Sequence, residues 1–296
     1  MDTSNRKNCA FIILTYNSSE HIGPCLDSVL KLECVKPYVF LYDNGSKDNT
    51  LSICDEYSEK YPKAITIHRS DKNDGTTMPR NACIALAQMS GVELDYVTVL
   101  DSDTIVNEAA IAKLKTAVDS NPKLAIATPR MFNLSLVEQM SLKKFPSFKT
   151  KFYKAFPSKK LSAKGEANEK YEFFPAQDLS FQGGGLSPVS EKSCVYYGDY
   201  AISACWFMRM ESLNSIGLLD EKYFYAPEDA DYCATAKEKG FEIALVSDAS
   251  IYHVTQRISK RKLISKMNLL HLMGLVRLAR KHSSKLKRLK NPHNSY

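Results

Sequence analysis

No stretch of this 296-residue chain approaches the roughly 20 apolar residues that a membrane-spanning helix needs. The amino terminus, MDTSNRKNCAFIILTYN, holds an apolar run of only six residues, Cys9 to Leu14, too short for the hydrophobic region of a signal peptide. Neither secretion by that route nor membrane spanning is therefore expected. No two of the eight cysteines form a C-x-x-C pair, which argues against a zinc frame. Scattered singly at 9, 25, 34, 54, 83, 194, 205 and 233, they are expected to be small buried hydrophobes in a reducing cytoplasm. A P-loop and a G-x-G-x-x-G are both missing, so ATPase chemistry and ordinary dinucleotide binding have no support. Gly183-Gly184-Gly185 reads as flexible backbone. Tryptophan occurs once, as Trp206, in an apolar run that suits a core better than a sugar platform. Acids are absent after Gln256: residues 257–296 carry 12 Lys and Arg and no Asp or Glu, leaving 28 basic against 33 acidic residues before them. The formal charge of +7 thus belongs to a tail.

What is present suits an ordinary globular protein, with 44% hydrophobic and 25% charged residues. Four strand-like runs recur in the first hundred residues: CAFIIL, YVFLY, AITIH and YVTVL. Each is followed by polar turn residues, and the first three then meet a helical pattern. Near-continuous apolar strands alternating with amphipathic helices indicate βαβ units and a parallel sheet covered on both faces. Ligands of such sheets bind outside the carboxyl ends of the strands. That rule brings together Thr15-Tyr16-Asn17, Asp43-Asn44-Gly45-Ser46, Arg69-Ser70-Asp71 and Asp101-Ser102-Asp103. Farther along, a helix is expected over Ala109 to Val118, a strand at LAIAT, a short helix from Glu211 to Ile216 stopped by Gly217, a helix opening at Glu228-Asp229, and a strand at FEIALV that Asp248 to His253 lead out of.

The fourth tip poses a physical problem. In an extended chain, Asp101 and Asp103 leave the same face about 6.6 Å apart, and at an effective dielectric of about 20 their charges repel by roughly 2.5 kcal/mol. Either one of them caps the next helix while the other points into water, or both face a divalent cation, since hard carboxylate oxygens suit magnesium, manganese or calcium. Glu228, Asp229 and Asp231 present a similar choice, because capping and the helix dipole alone account for acids at a helix start.

Taken in order, FIILTYN, LYDNGSKDNT, NDGTTMPRN, LDSDTIV and GLLDEKYFYAPEDADYCATAKEKG followed by His253 resemble the family 2 glycosyltransferases of GT-A fold, and among them the rhamnosyltransferase-like branch. The resemblance covers roughly residues 9 to 255. It implies an α/β fold with a Rossmann-like, mostly parallel sheet flanked by helices, a mixed acceptor-side half and a basic helical carboxyl-terminal tail. It also implies an inverting, metal-dependent transfer of a sugar from a nucleoside diphosphate donor to a hydroxyl of a glycan or lipid-linked glycan. Thr15, Tyr16, Asn17, Asp43, Asn44, Arg80, Asp101, Ser102 and Asp103 would lie on the donor side. Within that set Thr15 and Asp43 border the base and ribose, Arg80 serves the nucleotide, and Asp101 faces the ribose or sugar. Asp103 would hold Mn²⁺ or Mg²⁺, assisted by Asp101 and with His253 as a further ligand. Asp229 would be the catalytic base and Glu228 its neighbour at the acceptor site. After NDG, TTMP departs from the small residues usual in the family. The branch leans toward rhamnose on deoxythymidine diphosphate, with uridine diphosphate sugars open.

The expected division is a nucleotide-sugar half over residues 1–105, an acceptor and catalytic half over 106–255, and the tail from 256. Alternating basic and apolar residues make the tail either an amphipathic helix on an anionic membrane, through residues 257–290, or a helix packed on the catalytic body. The expected location is cytoplasmic, at the inner face of the membrane if the tail binds it. A second basic stretch, 143–164, carries eight lysines and no acid among five aromatic residues. It reads as a loop beside the site rather than a nucleic-acid patch, so nucleic acid is not an expected partner. A sugar-phosphate nucleotidyltransferase is the rival enzyme, although TYNSSE stands where its glycine-rich loop belongs. A non-catalytic nucleotide-sugar or RNA binder is the rival of another class.

Overall fold

The structure, a computed structural model, describes residues 6–145, 179–182, 185–188, 195–254 and 266–290. Residues 146–164 of the lysine-rich stretch, Gly183, Gly184, Cys194 and tail residues 256–265 and 291–296 lie outside the described residues.

The first hundred residues fold as alternating strands and helices: β1 (Asn8–Thr15), α1 (Ile22–Leu30), β2 (Lys36–Asp43), α2 (Thr50–Lys60), β3 (Ile65–Arg69), α3 (Thr77–Met89) and β4 (Tyr96–Asp101). The strands lie parallel in the order β3-β2-β1-β4. Their near-continuous apolar character follows from burial on both faces. In β1, Cys9, Phe11 and Ile13 enter the core under α1, α2 and α4, while Ala10 and Ile12 enter the one under α3, α5 and α6, where α4 is Glu108–Ser120, α5 is Met210–Ile216 and α6 is Glu228–Glu238. This is the period of two that a strand imposes.

The second half extends the same sheet in mixed orientation. After β5 (Thr104–Ile105) and α4 come β6 (Leu124–Phe132), β7 (Glu138–Gln139), β8 (Leu142–Lys143), β9 (Leu179–Gln182), β10 (Gly185–Pro188), β11 (Val195–Tyr197), β12 (Tyr200–Ala201) and β13 (Cys205–Arg209). α5 and α6 follow, then β14 (Glu242–His253) and α7 (Lys266–Lys290). β13 inserts antiparallel between β4 and β6, and β14 runs parallel to β6 on its far side. Gly217 (φ 94°) ends α5 as expected, in a conformation few other residues adopt. β14 outruns its expected end: after an irregularity between Val246 and Ser250 it stays paired to β6, and its last residues pair with β5. Trp206 is fully buried, its indole N–H bonded to the Ala201 carbonyl and its ring stacked on Tyr232. Seven cysteines are described, all reduced; six are buried and Cys34 is half-buried.

The tail helix packs on the catalytic body. Leu275 and Leu278 are buried, and Gly274 lies so close to the start of α6 that a β-carbon there would stand 2.6 Å from Pro227 Cδ. His282, 1% exposed, places Nε2 2.9 Å from Asp231 and Nδ1 2.6 Å from Glu238. Both ring nitrogens face carboxylates, so the ring is held as an imidazolium. The Asp231 and Glu238 carboxylates raise its pKa against the opposing effect of burial, which is the largest single influence on it. A raised histidine pKa stabilises the folded state fully below the unfolded value of about 6.5 and loses that contribution as pH climbs through the folded value. His282→Gln is therefore expected to lower stability by about 1–3 kcal/mol near pH 6 and by less near pH 9. Equal losses at both pH values in denaturant titrations would reject the charged assignment.

Candidate active site

The four polar tips meet at one edge of the sheet because the register aligns them. Thr15 pairs with Asp43, Leu14 with Asp101, and Asp43 with Arg69. Asp43 is fully buried and its oxygens are taken by Thr15 Oγ1 at 2.8 Å and by the Ser46 N–H and hydroxyl at 2.9 and 2.5 Å. It braces the two loops that follow β1 and β2. Asn17, at φ 51°, spans the same gap, donating its N–H to Ser46 Oγ and accepting from Lys47 N. Ser102 bonds Ser18 at 3.0 Å. Asn44 reaches the next loop, with its amide on the Gly75 carbonyl and the Asp74 N–H. Tyr16, at 41%, is exposed, as are Asn17, Arg69 and Asp71.

Neither Asp101 nor Asp103 caps a helix. Asn107 caps α4, its Oδ1 accepting from Ala110 N at 2.9 Å, so both carboxylates remain at the cleft. β5 turns straight back against the end of β14, putting Thr104 opposite His253 and the Val254 N–H on the Asp103 carbonyl. One ligand atom each from Asp101, Asp103 and His253 then fall within 4.8 Å of one another, the single such group among the described residues. His253 Nε2 lies 3.3 Å from Asp103 and 3.9 Å from Asp101.

The tautomer of His253 follows from Gln139, a residue no sequence pattern singled out. The Gln139 amide donates to the His253 carbonyl at 2.9 Å, so its oxygen is the atom 2.8 Å from Nδ1 and must accept the Nδ1–H. That leaves the Nε2 lone pair aimed at two carboxylates. Such a geometry calls for a positive charge between them, either a proton on Nε2 or a cation. Burial, the largest single influence, lowers the His253 pKa, but hydrogen bonding to Asp103 and the charges of Asp101 and Asp103 together outweigh it and raise it. Burial likewise pushes Asp101 up, Arg80 and His253 opposing and Asp103 adding to the rise. Two carboxylate oxygens and an imidazole, with the Gln139 amide fixing the ring, are a donor set that fits a divalent cation.

The second acidic group comes from the start of α6. Arg80, on α3, is 3% exposed; its guanidinium reaches Glu228 Oε1 at 3.0 Å with one nitrogen and Asp101 at 3.2 Å with the other. The two motifs therefore share one cation and one cleft. Thr76 adds a hydroxyl to Glu228 at 3.1 Å. Its chain neighbours explain TTMP: the Thr76 N–H bonds the Phe224 carbonyl and Thr77 Oγ1 the Tyr223 carbonyl, tying α3 to the segment before α6. Gly75 permits that approach, since a β-carbon there would meet the Phe224 oxygen at 2.2 Å. Glu228 Oε2 is buried and has no hydrogen-bond partner among the described residues. Asp229, half-buried beside it, accepts only the Ala230 N–H at 2.7 Å. Its pKa is pushed up to about 7, chiefly by burial and then by the Glu228 charge, with Lys143, the helix N–H and Arg80 opposing. Tyr225, 36% exposed, stands within the fields of Glu228, Asp101 and Asp229; it too went unnoticed in the sequence, because an exposed aromatic before a helix carries no pattern.

The family model for glycosyl transferase family 2 matches residues 10–174. The chain belongs to this family. Among curated relatives of this family 2 chain, glycosyltransferase GlyG of Streptococcus pneumoniae is 29% identical over 103 residues, 35% of this chain and 32% of that protein. Poly-beta-1,6-N-acetyl-D-glucosamine synthase of Staphylococcus epidermidis is 30% identical over 131 residues, 43% of this chain and 30% of the synthase. The chain thus spans about a third of the length of these relatives. Among solved structures, GalNAc-T7 with UDP, GalNAc and Mn²⁺ superposes with a TM-score of 0.62 at 13% identity, covering 96% of this chain and 49% of that one. That likeness concerns the fold, which is of GT-A type.

Calorimetric titration of Mn²⁺ in the presence of UDP tests the cation site. Asp103→Asn is expected to abolish binding, and Gln139→Ala to weaken it about tenfold by freeing the imidazole. Unaltered affinity in Asp103→Asn would exclude the site.

Proposed function

We propose that the protein is an inverting glycosyltransferase that moves a hexose or deoxyhexose from a UDP- or dTDP-linked donor to a hydroxyl of a glycan or lipid-linked glycan. The observation that carries this reading is the pairing of a cation-binding triad, Asp101, Asp103 and His253, with two differently solvated carboxylates, Glu228 and Asp229, across one arginine. The donor lies over the tips of β1, β2 and β4, where Tyr16 is open and the loops are braced by Asp43, Asn44 and Ser102. Asp101, Asp103 and His253 would hold Mn²⁺ or Mg²⁺, which when bound would supply positive charge to the departing diphosphate.

The protein's own groups act on the acceptor. Glu228 Oε2, buried without a partner among the described residues, accepts a hydrogen bond from one acceptor hydroxyl and so orients the sugar. Asp229 takes the proton of the attacking hydroxyl. A carboxylate held near 7 is a stronger base than an ordinary one and is still deprotonated in half or more of the molecules at neutral pH. One base on the face opposite the leaving group suffices for inversion. The relatives' names, a glycosyltransferase and a polysaccharide synthase, agree with a glycan product.

Asp229→Asn is expected to lower the transfer rate by at least about a hundredfold while UDP binding stays within about twofold of the parent. Because the base must be deprotonated, kcat/KM for acceptor should fall tenfold per pH unit below an apparent pKa of about 7. A flat profile from about pH 8 to about pH 5, or near-normal turnover by Asp229→Asn, would remove Asp229 from this role.

A further inference from the structure

α7 uses only one side of itself to hold the catalytic body. Gly274, Leu275, Leu278 and His282 face inward and are buried. On the opposite side Leu269, Leu272 and Met273 are 60%, 50% and 60% exposed, and Val276 and Arg280 continue their row by one and two turns. Three large apolar side chains within five residues on one face of a helix, left open to water, are costly unless something covers them. The chemistry of the covering surface is indicated by charge. The segment from Arg257 onward holds 12 basic residues and no acid, whereas the rest of the chain is net acidic, so the row lies within a strongly cationic segment. An apolar row flanked by cations complements an anionic lipid surface, where acyl chains take the side chains and headgroups take the charges. α7, at 25 residues, is no membrane span; no helix among the described residues is long and apolar enough to cross a bilayer.

We propose that the outward face of α7 is a membrane-docking surface for anionic phospholipid, with Leu269, Leu272 and Met273 inserted at the interface. The face is set by the buried side of the same helix, whose Gly274 rests on Pro227, Ala226 and Tyr223. A bilayer there would lie about one helix diameter, roughly 10 Å, from the segment that leads into Glu228 and Asp229. Phe224 and Tyr225 of that segment are themselves partly exposed. The surface stands on its own chemistry; its purpose, presenting a lipid-linked acceptor to Glu228, rests on the function proposed above.

The test is co-sedimentation of the full chain with vesicles of phosphatidylglycerol and phosphatidylcholine, against vesicles of phosphatidylcholine alone. Binding is expected to the anionic vesicles only, to weaken with salt, and to fall at least about tenfold in a Leu269→Ser, Leu272→Ser, Met273→Ser variant. The thermal midpoint of that variant and its transfer to a water-soluble acceptor should stay near those of the parent, since none of the three residues touches the cleft. Absence of vesicle binding by the parent, or equal binding by parent and variant, would overturn the proposal. So would a parent dimer that the variant converts to monomer without any vesicle binding, which would assign the face to a second copy. Vesicle binding without sugar transfer would leave the surface standing and remove the glycosyltransferase reading; transfer without vesicle binding would do the reverse.

Discussion

A buried guanidinium is the constraint on which the cleft depends. Arg80 is nearly inaccessible to water, and a cation so placed is tolerable only if its donors are met by anions or carbonyls. Its two terminal nitrogens meet Asp101, at the end of β4, and Glu228, at the start of α6. Those residues come from opposite ends of the fold, and no backbone hydrogen bond joins their elements directly. The fork geometry matters: a lysine would present a point charge to one carboxylate, whereas arginine spans two at fixed separation. The neighbours of Arg80 on α3 work to the same end. Thr77 bonds the Tyr223 carbonyl, and Asn81 makes a reciprocal amide pair with Leu219, so one face of α3 carries the whole segment that leads into α6.

Charge balance links the proposed cation to the proposed diphosphate donor. Asp101, Asp103, Glu228 and Asp229 crowd a small volume in which Arg80 is a permanent buried counter-charge, Lys143 adds its field at Asp229, and His253 becomes a further one only when protonated. A bare diphosphate entering there would meet net repulsion. A divalent ion on Asp101, Asp103 and His253 would offset most of that excess negative charge, so the ion and the anion would favour each other's arrival. The inward-facing lone pair of His253, fixed by Gln139, is the feature of the resting protein that anticipates the ion.

Much of this was legible in the residues because periodic signals report burial. The two-residue alternation in CAFIIL and YVFLY follows from strands covered on both faces, and the rule that parallel strands bind ligands at their carboxyl ends turned four such runs into one set of tips. Pairwise chemistry was less legible. Asp-x-Asp taken alone favoured capping over cation binding, and Asn107 proved to be the cap. Gln139 lies in a stretch without period, and its role exists only because β7 and β14 both flank β6. Arg80 was visible as an arginine near the donor, but that it faces both acidic motifs depends on α3 lying against the segment before α6. The docking of the tail could not be separated from membrane binding by its amphipathic pattern, because His282 and Lys281 look like part of a solvated basic face until Asp231, fifty residues earlier, is placed beside them.

That docking bears on the chemistry through the first turn of α6, where three acids would ordinarily repel one another while drawing equal benefit from the helix dipole. The structure gives each a different neighbour. Glu228 is paired with Arg80. Asp231 is met by Lys281 at 2.7 Å, His282 at 2.9 Å and the Tyr223 hydroxyl at 3.0 Å, and its pKa is lowered by the first two against the cost of burial. Asp229 makes no ion pair among the described residues, and its pKa rises. Sequestering Asp231 behind the helix leaves Glu228 as the one carboxylate that acts on Asp229 from its own turn. The elevation of Asp229 is thus set by burial and one neighbour, a combination that makes it basic without keeping it protonated throughout the neutral range. The tail helix therefore settles the charge of Asp231 alone, with two cations, Lys281 and His282, that meet it on the buried side of α6.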